Sequence, residues 1–132
     1  MTRGDLDADP RLVTLTGLCL ALPGAARELQ ADHAIFRARG KPFAYFLADH
    51  DKDGITSVCC RAGGGENEDR ARREPLRFYL PRYIGKRGWF GLRLDLGRID
   101  WREVRELVTA SHALTAGRTP SRNSRAGRTP AP

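Results

Sequence analysis

The stretch YIGKRGWFGLRL, residues 83–94, sets a glycine-gated bend directly before an alternating apolar run. Gly85 and Gly88 permit the backbone of a tight turn, so Lys86 and Arg87 project from its tip. Trp89 then opens a strand over 89–94, with Phe90, Leu92 and Leu94 on one face and Trp89 and Arg93 on the other. Upstream, residues 76–84 hold Pro81 and the pair Phe78-Tyr79, which suits either a loop pressed on the core or an edge strand. Downstream, Asp100 and Glu103 have capping-box spacing, and Trp101, Val104, Leu107 and Val108 form the apolar stripe of a closing helix that runs to about residue 110.

The first half of the chain supplies the remaining elements. Asp9-Pro10 is an N-cap acceptor followed by a residue suited to the first helical position. Leu12, Leu15, Cys19 and Leu22 continue as one stripe until Pro23-Gly24, which predicts a helix over 10–21. Residues 34–39 and 43–48 read as a hairpin around Gly40-Lys41-Pro42, and 55–60 as a third strand after the Asp53-Gly54 reversal. After Gly63-Gly64-Gly65, the pairs Glu66/Arg70, Glu68/Arg72 and Asp69/Arg73 fall at i,i+4, the pattern of a short solvated helix ending near Pro75.

With 132 residues, the chain has room for one hydrophobic core. Its formal net charge is +7, but Arg118, Arg122, Arg125 and Arg128 lie in a tail without acids, leaving 19 cations against 16 acids and a body of +3. That tail, 117–132, repeats Gly-Arg-Thr-Pro and is too poor in apolar residues to repay its ordering entropy, so it is expected to be disordered. Three cysteines, Cys19, Cys59 and Cys60, do not make a disulfide framework; of the adjacent pair, one is expected to be buried and the other partly exposed. The first ten residues carry acids and no apolar core of a leader, and no apolar run approaches the ~18 residues of a membrane span. The expectation is a cytoplasmic protein.

Motifs for catalysis or metal binding are weak. Asp49-His50-Asp51-Lys52-Asp53-Gly54 matches the start of an EF-hand loop, but position twelve falls on Cys60 where a bidentate Glu is required. His33, His50 and His112 are far apart and lack zinc-site spacing, so no metal and no cofactor are expected. The triple glycine lacks the Lys and Ser/Thr of a phosphate loop, and no catalytic triad or carboxylate pair stands out. The cations are more informative. Arg37 and Arg39 share a strand face by period two, Lys41 follows at the turn, and Arg82, Lys86, Arg87 and Arg93 surround the later bend. If strand pairing aligns these groups, they form a basic surface with Trp89 or Tyr83 available for stacking on bases.

Gly40-Lys41-Pro42-Phe43-Ala44, the segment from Tyr83 to Trp89, the Asp100-Trp101 helix start and its Ser111-His112 ending together resemble the MmcQ/YjbR family of small bacterial proteins over roughly residues 10–116. The resemblance implies an α+β fold related to the frataxin-like or CyaY-like group: a curved antiparallel sheet with the first and last helices packed on one side. It also implies DNA binding, inferred for the family from a double-wing arrangement of hairpins. Lys41, Lys86, Arg87 and Trp89 fall on matching positions. His112 departs from the tyrosine that many relatives carry there, and the Arg-rich tail lies outside the family domain.

The chain therefore divides into an N-terminal extension (1–9), an α+β domain (10–116) and the tail (117–132). The leading expectation is a non-enzymatic nucleic-acid-binding protein, with DNA as partner and Arg37, Arg39, Lys41, Arg82, Lys86, Arg87, Trp89 and Arg93 as the contact surface. Two other readings use the same residues. One is a protein-interaction module anchored by an exposed patch of Trp89, Tyr83 and Tyr79; the other is a pocket for a small anionic ligand.

Overall fold

A computed structural model of the chain describes residues 3–50 and 52–117; the tail expectation, apart from Gly117, lies outside these residues. Six strands form one antiparallel sheet: β1 (Ala25–Leu29), β2 (His33–Ala38), β3 (Lys41–Ala48), β4 (Thr56–Arg61), β5 (Phe78–Tyr79) and β6 (Trp89–Arg93). Their spatial order is β1-β2-β3-β4-β6-β5, an open sheet. Four helices accompany it: α1 (Arg3–Asp7), α2 (Pro10–Leu20), α3 (Glu66–Arg73) and α4 (Trp101–Thr115). A 3-10 turn, Ile84–Arg87, leads into β6.

The core lies between one sheet face and the helices. Phe36, Phe46, Val58, Cys60, Phe90 and Leu92 point from the strands toward Leu12, Leu15 and Cys19 of α2 and Val104, Leu107 and Val108 of α4. The first and last predicted helices thus share one side of an α+β sheet, as the resemblance implies. Asp9 caps α2 by accepting from the Arg11 amide at 2.9 Å, and its paired guanidinium holds the carboxyl below the usual carboxylate range. Asp100 caps α4 through the amides of Arg102 and Glu103. That helix continues to Thr115, past the expected end near 110. Ser111, His112 and Thr115 are buried on its inner side, and Gly117 closes it at positive φ.

Several elements depart from the sequence reading. β1 (AAREL) has no β-branched or aromatic residue and was not foreseen; its charged Arg27 and Glu28 suit an edge strand. The 76–84 segment resolves into β5, a two-residue edge strand at the far side of the sheet. The β2–β3 turn is Arg39-Gly40, both at positive φ, so Lys41 and Pro42 belong to the strand. Beside it, the register shifts between Phe36 and Arg37, which brings Phe43 into the core together with Ala44. Ser111 bridges β3 and β4 beside this irregularity: it donates to the Phe43 carbonyl at 2.6 Å and accepts from the Arg61 amide at 2.8 Å. Residues 1–9, read as an extension, contain α1, and its Leu6 is fully buried in the core.

Among the described residues the opposite sheet face carries no helix and is covered by its own side chains. Tyr79 lies over Gly91, and its hydroxyl meets Ser57 Oγ at 2.7 Å. Beneath this cover Cys59 is as buried as Cys60, which corrects the expectation that one of the two is partly exposed. Burial pushes the Cys19 thiol up to about 12 and Cys60 well above its ordinary range, so neither is a nucleophile at neutral pH.

Candidate nucleic-acid interface

Strand register decides which cations can meet. Ala38 pairs with Lys41, and Arg61 pairs with Trp89; the Ala62 amide donates to the Gly88 carbonyl at 2.9 Å. The Arg39-Gly40 turn, the start of β3, the end of β4 and the 3-10 turn before β6 are therefore all at one end of the sheet. Arg37, Arg39, Lys41, Arg82, Lys86 and Arg87 thus share this end, from segments nearly fifty residues apart. Tyr45, on the helix-free face, senses both groups: burial raises its phenol above the usual range, while the charges of Arg37 and Arg87 act in the opposite direction.

Most arginines elsewhere in the fold are neutralised. Arg11 is held by Asp9, Arg27 by Asp7, Arg70 by Glu66, Arg72 and Arg73 by Asp69, and Arg77 by Glu74 and Glu103. At the basic end, Arg37 meets Glu28 at 3.2 Å. By contrast, Arg39, Lys41, Arg82, Lys86 and Arg87 have no carboxylate partner among the described residues. All five are also exposed, Lys86 and Arg87 as the bend's glycines imply.

Two of the proposed contacts are corrected. Arg93 pairs with Ser57 at the opposite end of the sheet and is held by both oxygens of Asp95 at 3.0 Å, so it does not join the basic group. Period two places Arg93 on the same face as Trp89, but the two stand at opposite ends of β6, with three residues between them. Trp89 is 6% exposed and packs its ring on Tyr45 at a centroid distance of 5.1 Å; it is a structural residue of the helix-free face and offers no stacking surface. The patch of Trp89, Tyr83 and Tyr79 fails for the same reason, since Tyr79 is also folded down, onto Gly91.

The exposed aromatic is Tyr83, at 79% exposure, with the Arg82 guanidinium 6.0 Å from its ring centroid. Its φ of 67° and ψ of −56°, with the Ile84 amide donating to the Arg82 carbonyl at 2.7 Å, define the rare positive-φ γ-turn. The following 3-10 turn is anchored from below by Asn67 of α3. Its buried Nδ2 donates to the carbonyls of Gly85 at 2.9 Å and Trp89 at 3.0 Å. Asn67 escaped the sequence reading because it sits within a run of charges; its only signal is being the one uncharged polar residue of that helix.

The residues singled out for other chemistry resolve as follows. The Asp49–Gly54 segment joins two strands, β3 and β4, and Cys60 lies buried in the second, so the EF-hand reading fails. His112 packs edge-on against Phe43, and its Nε2 meets the Pro23 carbonyl at 2.7 Å, tying α4 to the loop between α2 and β1. His33 and His50, remote in sequence, are neighbours. A hollow of about 390 Å³ is lined by Arg77, Arg93, Arg98, Asp100 and Glu103, but its Arg77 and Arg93 already hold carboxylates. That gives a small anion little uncompensated charge.

A family model, YjbR, matches residues 20–114. The chain belongs to the YjbR family. The YjbR architecture agrees with a crystal structure of Deinococcus radiodurans protein DR2400, which contains the domain DUF419. That structure aligns with 89% of this chain and 88% of its own at a TM-score of 0.65 and 18% identity, a likeness of fold. No curated protein matches the sequence. This YjbR chain has no helix, among the described residues, long and apolar enough to cross a membrane.

Proposed function

We propose that this YjbR protein is a non-enzymatic, cytoplasmic nucleic-acid-binding protein, with DNA as its partner, that docks through the basic end of its sheet. One observation carries the reading: five cations from two distant segments lie at one end with no carboxylate partner among the described residues, while most arginines elsewhere are paired. Unneutralised cations on a rigid support attract phosphates and position a strand, and Arg39 and Lys41 form one rim while Arg82, Lys86 and Arg87 form the other. Tyr83 replaces Trp89 as the side chain available to stack on a base. Gly117 begins the Arg-rich tail at this same end, since Thr115 lies against the Pro42 carbonyl and Arg61. The sequence beyond it adds four arginines to the chain's charge.

The test is the salt dependence of DNA binding. Each phosphate contact contributes roughly 0.9 to the slope of log K against log salt on duplex DNA, so Lys86→Ala with Arg87→Ala is expected to lower the slope by roughly 1.8. An unchanged slope and affinity in this double variant would remove the folded surface from the account.

A further inference from the structure

At the end of the sheet opposite the basic loops, three side chains from two segments converge. Asp32 lies in the β1–β2 turn, His33 opens β2, and His50 lies in the loop that follows β3. His33 Nδ1 is 2.8 Å from Asp32 Oδ1, and His50 Nδ1 is 3.1 Å from Asp32 Oδ2. The two imidazoles meet edge-on with centroids 4.9 Å apart, and one ligand atom from each of the three residues lies within 4.8 Å of the others.

The backbone holds this arrangement in place. The Asp32 carbonyl accepts from the Ala48 amide at 3.1 Å, locking the β1–β2 turn to the end of β3. Asp49 then takes φ 55°, and its carboxylate accepts from the Gly54 amide at 2.7 Å, so the chain turns and brings His50 back toward β2. That carboxylate fixes the loop, leaving Asp32 as the acid aimed at both rings.

From this convergence, the geometry points to a divalent transition-metal site, suited to Zn²⁺, built from Asp32, His33 and His50. Two imidazole nitrogens and a carboxylate oxygen are a donor set that zinc accepts, and three protein ligands leave a fourth position for water or another oxygen donor. With metal–ligand bonds of about 2.0–2.1 Å, tetrahedral ligands stand roughly 3.3 Å apart. The two His–Asp separations, one to each oxygen of Asp32, are near that spacing, and a small movement of the exposed His50 ring completes the set around one oxygen. The His33 and His50 side chains are 22% and 39% exposed, so an ion can reach them from solvent and the rings can adjust without disturbing the core. The hydrogen bonds between Asp32 and the two rings supply the competing account, in which the three groups simply satisfy one another.

Zinc titration of the full chain by calorimetry at pH 7.5 tells the two apart. The expected result is one saturable Zn²⁺ per chain, with His33→Ala and His50→Ala each weakening it by at least about tenfold, the lower range for loss of even an outer-shell partner. Histidine proton resonances in the unmodified protein provide a readout that does not depend on variant folding: the His33 and His50 signals should move on zinc addition, with that of His112 unmoved. Absorption with Co²⁺ should show no thiolate charge-transfer band. The site is refuted by lack of saturable binding, by binding unchanged in both variants, by unmoved His33 and His50 resonances, or by a thiolate band.

Discussion

Gly91 shows how one missing methyl shapes a sheet face. It stands at the centre of β6, where an added Cβ would lie 2.6 Å from Cζ of the Tyr79 ring. The ring therefore rests on the backbone, its hydroxyl reaches buried Ser57, and Cys59 is sealed beneath it. Burial sets the Tyr79 phenol well above its ordinary range, so it remains a neutral hydrogen-bonding group. Gly91→Ala is expected to cost about 1–3 kcal/mol, because the ring must lift from a packed face. Urea unfolding of Gly91→Ala, Tyr79→Ala and the double variant should show a coupling of at least about 0.5 kcal/mol between the two sites. An uncoupled pair would mean that the ring does not depend on the glycine. This contact left only a faint mark in the sequence, a glycine inside an apolar strand. The alternation of β6 was legible, and it correctly put Phe90, Leu92 and Leu94 toward the core. What it could not convey is that Trp89, on the other face, would also be covered, because its neighbour Tyr45 comes from a strand more than forty residues earlier.

Among the elements, the bend from Arg82 to Gly88 combines strain with support. The γ-turn at Tyr83 puts a bulky side chain at positive φ while leaving it exposed, so the conformation gains little from burial. Such strain costs on the order of 1–3 kcal/mol. Replacing Tyr83 by glycine relieves it but adds about 0.5–1 kcal/mol of unfolded-state entropy. Tyr83→Gly is therefore expected to stabilise the fold by about 1 kcal/mol in urea unfolding while weakening binding to single-stranded DNA by about 1–3 kcal/mol, the worth of one stacked base. A variant that is both less stable and equally tight would show that the turn is unstrained and the ring idle. The glycines and cations of this bend were legible, and they correctly indicated a turn with Lys86 and Arg87 outward. Its support was not, since the Asn67 clamp joins a helix to a loop eighteen residues away and no local pattern marks it. β1 was hidden for a different reason: an edge strand is stabilised by its partner, and AAREL carries no propensity of its own.

Across the whole molecule, antiparallel pairing sorts charge by strand end. The basic loops lie at one end, while Asp32, Asp49, Asp53 and the Arg93–Asp95 pair lie at the other. Sequence alternation gives the face of a residue but not its end, so it groups Arg93 with cations that it does not meet and leaves His33 apart from His50. The fold class was legible because its helices are capped and striped; the sites depended on register, which only the paired strands define. The same polarity separates the two possible sources of DNA affinity. A chain ending at Gly117 loses the tail's four arginines and falls from +7 to +3, yet keeps every core residue found among the described residues, so its thermal midpoint is expected to be unchanged. If the tail contacts phosphates, the truncation lowers the salt slope by at most roughly 3.6, four contacts at roughly 0.9 each. Binding through the folded end leaves a residual slope that Lys86→Ala with Arg87→Ala then reduces further. If the truncated chain instead shows no affinity even at low salt, attraction belongs to the tail alone, and the unpaired cations of the sheet end are not a docking surface.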